Sequence, residues 1–348
     1  MVVRRGRDLD ESDVRIRPNR RGSRPRTKER PRHADAVPAR VIAVDRGRWT
    51  TLVDAGTPHE RAVRAMRARE LGRTSIVPGD MVALTGDISG CDGSLARIVR
   101  RENRSSFLRR SADDDDATER PLVANVDQMV VVTALADPQP RPRLIDRCLV
   151  AAYDAGIEPL LCLTKADLCP PMGFLDRYAP LGVPYVTTSL DPSGSICGLE
   201  ALRERLAGRT SVLVGHSGVG KSTIVNALVP GTDRAIGDVN DVTGRGRHTS
   251  TSALALRLPE VDGWVIDTPG VRSFGLGHVE SERLLNAFQD LAQCADACPR
   301  DCSHLATAPD CALDGAVAQG LAGPAGASRL DSYRRLVETL RRNDPWDM

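Results

Sequence analysis

Residues 215–222 read GHSGVGKS, a spacing of glycines, lysine and hydroxyl that suits a phosphate cradle. Gly215, Gly218 and Gly220 let the backbone curl so that the N–H groups of the loop, those of His216, Ser217 and Val219 included, surround phosphate oxygens. Lys221 adds a positive charge toward the terminal phosphates, Ser222 offers a hydroxyl to Mg²⁺, and Thr223 can assist at the α-phosphate. The apolar run SVLV precedes this loop and the helix-compatible STIVNALV follows it. That is the strand–loop–helix setting the chemistry requires, with the positive end of the helix facing the anion.

Three other stretches complete a nucleotide site. DTPG at 267–270 ends a strand-like run; Asp267 can hold the Mg²⁺ shell through water, and the Gly270 N–H can meet a γ-phosphate and sense its loss. TKAD at 164–167 is a base-reading element. The Asp167 carboxylate can accept from guanine N1 and N2, which adenine cannot supply, while the Lys165 stem packs along the purine. Thr164 can make only part of the contact to the phosphate loop that an Asn at this position would make. TTS at 187–189 follows another strand and can bring a backbone N–H, at Ser189, near guanine O6. Between the two phosphate motifs lies GTDRAIGDVNDVTGRGRHTSTSAL, glycine-rich and polar, which reads as a loop that closes over γ-phosphate and Mg²⁺. Thr249, Ser250 and Thr251 are its candidate Mg²⁺ hydroxyls, with Thr249 preferred. Val271 stands where many small GTPases carry a water-orienting glutamine, so His248, with its near-neutral pKa, is the candidate water-positioning base.

A second chemistry sits downstream. Cys298, Cys302, His304 and Cys311 lie within fourteen residues, and Cys₃His is the donor set of a closed, structural zinc site. Cys294 is a spare that could substitute for Cys298. Cys91, Cys148, Cys162, Cys169 and Cys197 are scattered and read as reduced thiols.

Elements must position these groups. VDQMVVVTAL and IEPLLCLTKADL are near-continuous apolar strands of a parallel sheet, joined by the crossover helix RPRLIDRCLVAAYDAG. VPYVTTS, TSVLVGHSG and GWVIDTPG supply further strands, each ending in a polar turn where ligands of such sheets bind. Upstream, ARVIAVD, WTTLVDAG, RAVRAMRA, GDMVALTG and SLARIVRR predict five short strands closing into a small barrel of the OB type. Its aromatics are limited to Trp49 and Phe107, so contact with RNA would rest on arginines gripping the backbone rather than on base stacking. SADDDDATER reads as a solvated linker. Beyond Gly277 the chain is predicted to be helical, with ESERLLNAFQDLAQC and RLDSYRRLVETLRR flanking the cysteines.

Composition fits this layout. The 348 residues are 41% hydrophobic and 27% charged, with no apolar run long enough to span a bilayer. The N-terminus lacks the apolar segment of a secretory signal, so a cytoplasmic location without membrane attachment is expected. The net charge of +2 hides an asymmetry: residues 1–37 hold eleven Arg and one Lys against six acids. This segment reads as a disordered basic arm suited to nucleic-acid phosphates.

Taken together, the order barrel, TKAD, TTS, GHSGVGKS, RGRHTST, DTPG and the Cys-Cys-His-Cys segment, with ANVDQMVVV before the first sheet strand, resembles the RsgA (YjeQ) family of circularly permuted GTPases of small ribosomal subunit biogenesis. The resemblance spans about residues 38–345. It implies an arm at 1–37, an OB-fold at 38–112, a permuted P-loop GTPase domain at 113–278 and a helical zinc-binding domain at 279–348. It also implies GTP hydrolysis stimulated by the 30S subunit during late maturation, release on hydrolysis, 16S rRNA and GTP/GDP as partners, one structural Zn²⁺, and Mg²⁺ with GTP. A monomer is the simplest assembly. Two features depart from the family pattern: Thr164 stands for the usual Asn, and the metal spacing is one residue shorter between the first two cysteines and one longer before the last. A GTP-regulated RNA-binding translation regulator with incidental hydrolysis is the alternative reading, and an ATP-using enzyme is disfavoured by Asp167.

Overall fold

The computed structural model describes residues 33–45, 47–111, 119–231, 253–268, 276, 279 and 281–341. Its first strands, β1 (Val37–Asp45), β2 (Arg48–Val53), β3 (Arg61–Arg67), β4 (Met81–Gly86) and β5 (Ala96–Arg101), pair in the order β1-β2-β3-β5-β4 and close through a β1–β4 pairing. All pairs are antiparallel except β3 with β5. This is a five-stranded OB-like barrel. Alternation explains its core: Ala39, Val41, Val63, Ala65, Val82, Leu84, Ala96 and Ile98 all face inward, as period-two side chains must. Trp49 closes the barrel, its indole N–H donating to the Ile76 carbonyl at 3.0 Å.

A register shift in β1 between Val41 and Ala43 re-aims the strand, as bulges do. Ile42 leaves the barrel core and packs into the core of the next module. A second link follows from β6 (Phe107–Ser111) and β7 (Glu119–Ala124), an antiparallel hairpin. Parts of the supposed linker SADDDDATER thus belong to strands, because Phe107, Leu108 and Val123 lend the hairpin an apolar face that the aspartates obscure in sequence. Behind it, the Asn125 amide donates to Gly79 O (2.9 Å) and its Oδ1 accepts from Ser105 N (2.9 Å). Gly79, at φ +91°, has no room for a Cβ against the Ala124 carbonyl. Asp80, fully buried, takes two bonds from Arg104 at 2.7 and 2.8 Å.

The α/β module comprises β8 (Gln128–Ala134), α1 (Pro142–Asp154), β9 (Glu158–Thr164), α2 (Met172–Leu175), β10 (Tyr185–Thr187), the β11–β12 ribbon (Ser189–Leu190, Ile196–Cys197), α3 (Leu199–Leu206), β13 (Thr210–Val214), α4 (Lys221–Leu228), β14 (Leu254–Arg257) and β15 (Trp264–Asp267). Its sheet runs β10-β9-β8-β13-β15-β14, parallel up to β15 and antiparallel at β14. Both faces are buried, which is why the strands read as continuous apolar runs. Met129 and Val131 enter the core that contains α1; Val130 and Val132 enter the opposite one with Ile224 and Leu228 of α4. Polar residues fix the strand starts: Asp127 accepts from Thr210 N at 2.8 Å, and Ser211 donates to Gln128 at 3.2 Å. Strand β14 was not evident in STSALALRL. Its Leu254 pairs with Ala43 of β1, so barrel and sheet form one eleven-stranded sheet.

The C-terminal helices are α5 (Ser281–Asn286), α6 (Gln289–Ala295), α7 (Ala312–Ala318) and α8 (Gly326–Arg341). The single helix expected over ESERLLNAFQDLAQC is broken. Phe288 adopts φ −112°, ψ 70° and turns its ring into the core, edge-on to Tyr153 and Tyr333 at 6.1 and 5.5 Å. Leu284, Leu291, Leu313, Leu336 and Val337 pack with Ile145 and Leu149 of α1 in one core. Arg329 binds Asp290 through two bonds (2.6 and 2.9 Å) and the Pro180 carbonyl at 2.9 Å. No helix among the described residues is long and apolar enough to cross a membrane.

Candidate functional site

The carboxyl ends of β8, β9, β13 and β15 converge, and the motif residues converge with them. Gly215 lies so close to Val132 O that a Cβ would enter its van der Waals sphere; only glycine lets β13 hand the chain to the loop there. Gly218 and Gly220 adopt φ +83° and +89°, the left-handed region that glycine enters at no cost, and α4 starts at Lys221. The Lys221 ammonium rests 3.0 Å from Asp267 Oδ1 and donates to Thr268 O at 3.0 Å. Phosphate loop and DTPG strand are thereby held together by the charge expected to meet the terminal phosphates. His216 donates from Nδ1 to the Ser217 carbonyl at 2.8 Å. Burial, against a raising effect of that bond, depresses its pKa, so His216 adds no charge to the loop at neutral pH.

Thr164, buried at the end of β9, donates its hydroxyl to the Val219 carbonyl at 2.7 Å. The hydroxyl therefore ties the TKAD turn to the phosphate loop. Lys165, at φ +56°, donates to the carbonyl of Asp137, in the loop after β8. The TKAD turn is further held by Ala166 N to Thr188 O (3.1 Å) and Thr188 N to Leu163 O (2.8 Å), which join it to the TTS turn. These elements enclose a cavity of ≈ 260 Å³ lined by Thr164, Lys165, Asp167, Ser189, Gly220 and Thr223. The apolar walls Leu168, Leu190, Ile196 and Ile224 complete it. Sequence reading passed over these four, although Leu168 and Leu190 directly follow TKAD and TTS. It also missed Thr268, whose carbonyl receives Lys221 and whose hydroxyl donates to Leu213 O at 2.8 Å. His248, Thr249, Ser250, Thr251 and Gly270 lie outside the described residues.

Cys298, Cys302, His304 and Cys311 bring their donor atoms within 4.8 Å of one another. Cys298 Sγ and Cys311 Sγ lie 3.5 and 3.8 Å from His304 Nδ1. A tetrahedral centre with Zn–S near 2.3 Å has donor–donor edges of roughly 3.6–3.8 Å, so the four residues fit a metal. Cys294 stands outside the group. Burial pushes the Cys311 thiol up to about 11, and the neighbouring Cys302 and Cys298 add to this against the Leu313 N–H; burial and then Arg334 lower His304. Such thiols give up their protons to a divalent cation rather than to water. Arg334 holds the site from behind, donating from Nε to His304 O (2.9 Å) and by two bonds to Asp314 (2.9 and 2.7 Å).

The family model described as RsgA GTPase matches residues 101–277, which span the β6–β7 hairpin, TKAD and the phosphate loop. The chain belongs to the RsgA GTPase family. As such it is an enzyme that hydrolyses GTP. A relative from Ectopseudomonas mendocina (strain ymp), named small ribosomal subunit biogenesis GTPase RsgA, is 41% identical over 277 residues, 78% of this chain and 76% of the relative. One of the same name from Chromohalobacter salexigens is 41% identical over 255 residues, 72% of each chain. Among solved structures, YjeQ from Thermotoga maritima superimposes with a TM-score of 0.62 at 25% identity, covering 88% of this chain and 98% of that one. YloQ, described as a circularly permuted GTPase, gives 0.62 at 23% identity, covering 90% and 98%. The fold is theirs: OB-like barrel, permuted GTPase domain in which β9, leading into TKAD, precedes β13, leading into the phosphate loop, and C-terminal helices whose α6–α7 connection carries Cys298, Cys302, His304 and Cys311.

Proposed function

We propose that this GTPase binds the small ribosomal subunit, assists its late maturation, and leaves when GTP is hydrolysed to GDP and phosphate. The observation that carries the reading is the shared cavity of TKAD, TTS and phosphate loop, in a chain whose relatives bear the name of small ribosomal subunit biogenesis GTPases. In this reading Asp167 accepts from guanine N1 and N2, the Lys165 stem covers the purine, and a backbone N–H at Ser189 meets O6. The backbone from Gly215 to Gly220, with Lys221 and Thr223, binds the phosphates. Ser222 and Thr249 hold Mg²⁺ and Asp267 its water shell; the ion, when bound, neutralises charge developing on the phosphates. Gly270 senses γ-phosphate, and His248 positions the water. Asp267 gives Lys221 up when a phosphate enters, because the more highly charged anion is the better partner.

Cys298, Cys302, His304 and Cys311 hold one structural Zn²⁺, closing a segment with little core of its own. The outer barrel surface exposes Arg97 and Arg100, and with the basic arm at 1–37 it meets 16S rRNA phosphates without reading bases. The DTPG strand leads directly into the metal-carrying helices, so loss of γ-phosphate is transmitted to a module that contacts the subunit. The protein acts as a cytoplasmic monomer on a large particle.

Co-sedimentation with purified 30S subunits tests this. A non-hydrolysable GTP analogue should hold the protein on the particle and GDP should release it; equal retention with both would refute the release step, and no retention with either would refute the partner.

A further inference from the structure

We propose that the base site of this chain does not read purine N7, because the one proton of Thr164 is spent on the phosphate loop. The inference rests on the reading that guanine occupies the cavity beside TKAD. A threonine hydroxyl has one proton and two lone pairs. Thr164 Oγ1 lies 2.7 Å from Val219 O and 3.4 Å from Thr133 O. Both neighbours are carbonyls, which only accept, so the proton points to them and the cavity side of Oγ1 offers lone pairs.

The position of this wall matters. Thr164 and Gly220 face each other at the junction of base cavity and phosphate loop; a Cβ on Gly220 would stand 3.9 Å from Thr164 Oγ1. A guanine whose N1–H and N2–H point to Asp167 turns its O6 and N7 acceptors along the next edges of the ring. O6 falls to the TTS turn, and N7 falls to the wall formed by Thr164. There N7 meets no hydroxyl proton, and the Lys165 ammonium is directed to the Asp137 carbonyl. An asparagine has two amide protons and can serve Val219 O and N7 together. Threonine keeps the loop tie and gives up the second contact. Thr164 therefore sets how much of the purine is held: it leaves the base to be gripped by its N1, N2 and O6 edge alone, N7 being common to guanine and adenine.

The test is equilibrium binding of GTP and 7-deaza-GTP, in which N7 is replaced by C–H, to the full chain and to Thr164→Asn and Thr164→Ser. The unaltered chain and Thr164→Ser should bind the two nucleotides equally within about twofold, since no hydrogen bond distinguishes them. Thr164→Asn should prefer GTP by about tenfold, the worth of one added bond. A tenfold preference for GTP in the unaltered chain would overturn the inference, as would an unchanged ratio in Thr164→Asn. Failure of GTP itself to bind would instead overturn the reading of the cavity as a guanine site.

Discussion

Gly198 touches no nucleotide in the proposed reading, yet replacing it with alanine should damage the base site. It has φ +81°, and a Cβ there would stand well under 3.0 Å from the Thr187 carbonyl, with the Thr187 carbon at 3.2 Å and Thr188 Cα at 3.5 Å. These neighbours are backbone and cannot rotate away. Restoring ordinary contact requires the TTS turn to shift by about 1 Å. The left-handed backbone adds about 1–2 kcal/mol for alanine, which should appear as a lower Tm. A shift of that size also removes the backbone hydrogen bond proposed for guanine O6. One such bond is worth about 1–1.5 kcal/mol, or roughly a tenfold loss of GDP affinity. Titration calorimetry with GDP and with inorganic pyrophosphate separates the two ends of the site: GDP should weaken while pyrophosphate is unaffected. Unchanged GDP affinity at a reduced Tm would refute the placement of the base against the TTS turn.

Lys221→Ala should weaken GTP binding by about tenfold to a hundredfold, the worth of a charge-assisted bond, and lower the Tm, since it leaves the Asp267 carboxylate without its cation; calorimetry checks both. Cys302→Ser, or stripping the wild type with a strong chelator, should abolish bound metal, one equivalent by mass spectrometry, and lower the Tm by loosening the helices around His304 and Cys311. Burial raises the Asp290 carboxyl, but its two bonds from Arg329 outweigh this and hold it below the usual carboxylate range. Its stabilising share is thus complete above about pH 4 and lost as pH falls through the depressed value. Asp290→Asn should therefore have a lower Tm than wild type at pH 7, and the gap should close on acidification.

Much of this was legible because the sheet is buried on both faces: VDQMVVVTAL and IEPLLCLTKADL can be little else, and turn chemistry placed the motifs at their ends. What escaped was set by tertiary contacts. β14 is four residues long and exists because β15 and Ala43 pair with it. The break at Phe288 depends on two aromatic rings distant in sequence, and α7, with Gly315 inside it, has too little apolar period to announce itself. At the site, Thr164 was readable as an incomplete substitute for asparagine; that its proton goes to Val219 required the fold. The candidate metal ligands were plain from residue type, while geometry leaves Cys294 outside the group whose donor atoms converge.

The central claim is that the ribosomal small subunit, rather than nucleotide alone, sets the activity. Steady-state GTP hydrolysis with and without purified 30S particles, across a salt series, tests it most directly. Turnover should rise strongly with 30S particles, free rRNA should not substitute, and the stimulation should fall as salt weakens phosphate contacts. A rate indifferent to 30S particles, or matched by free rRNA, would contradict it.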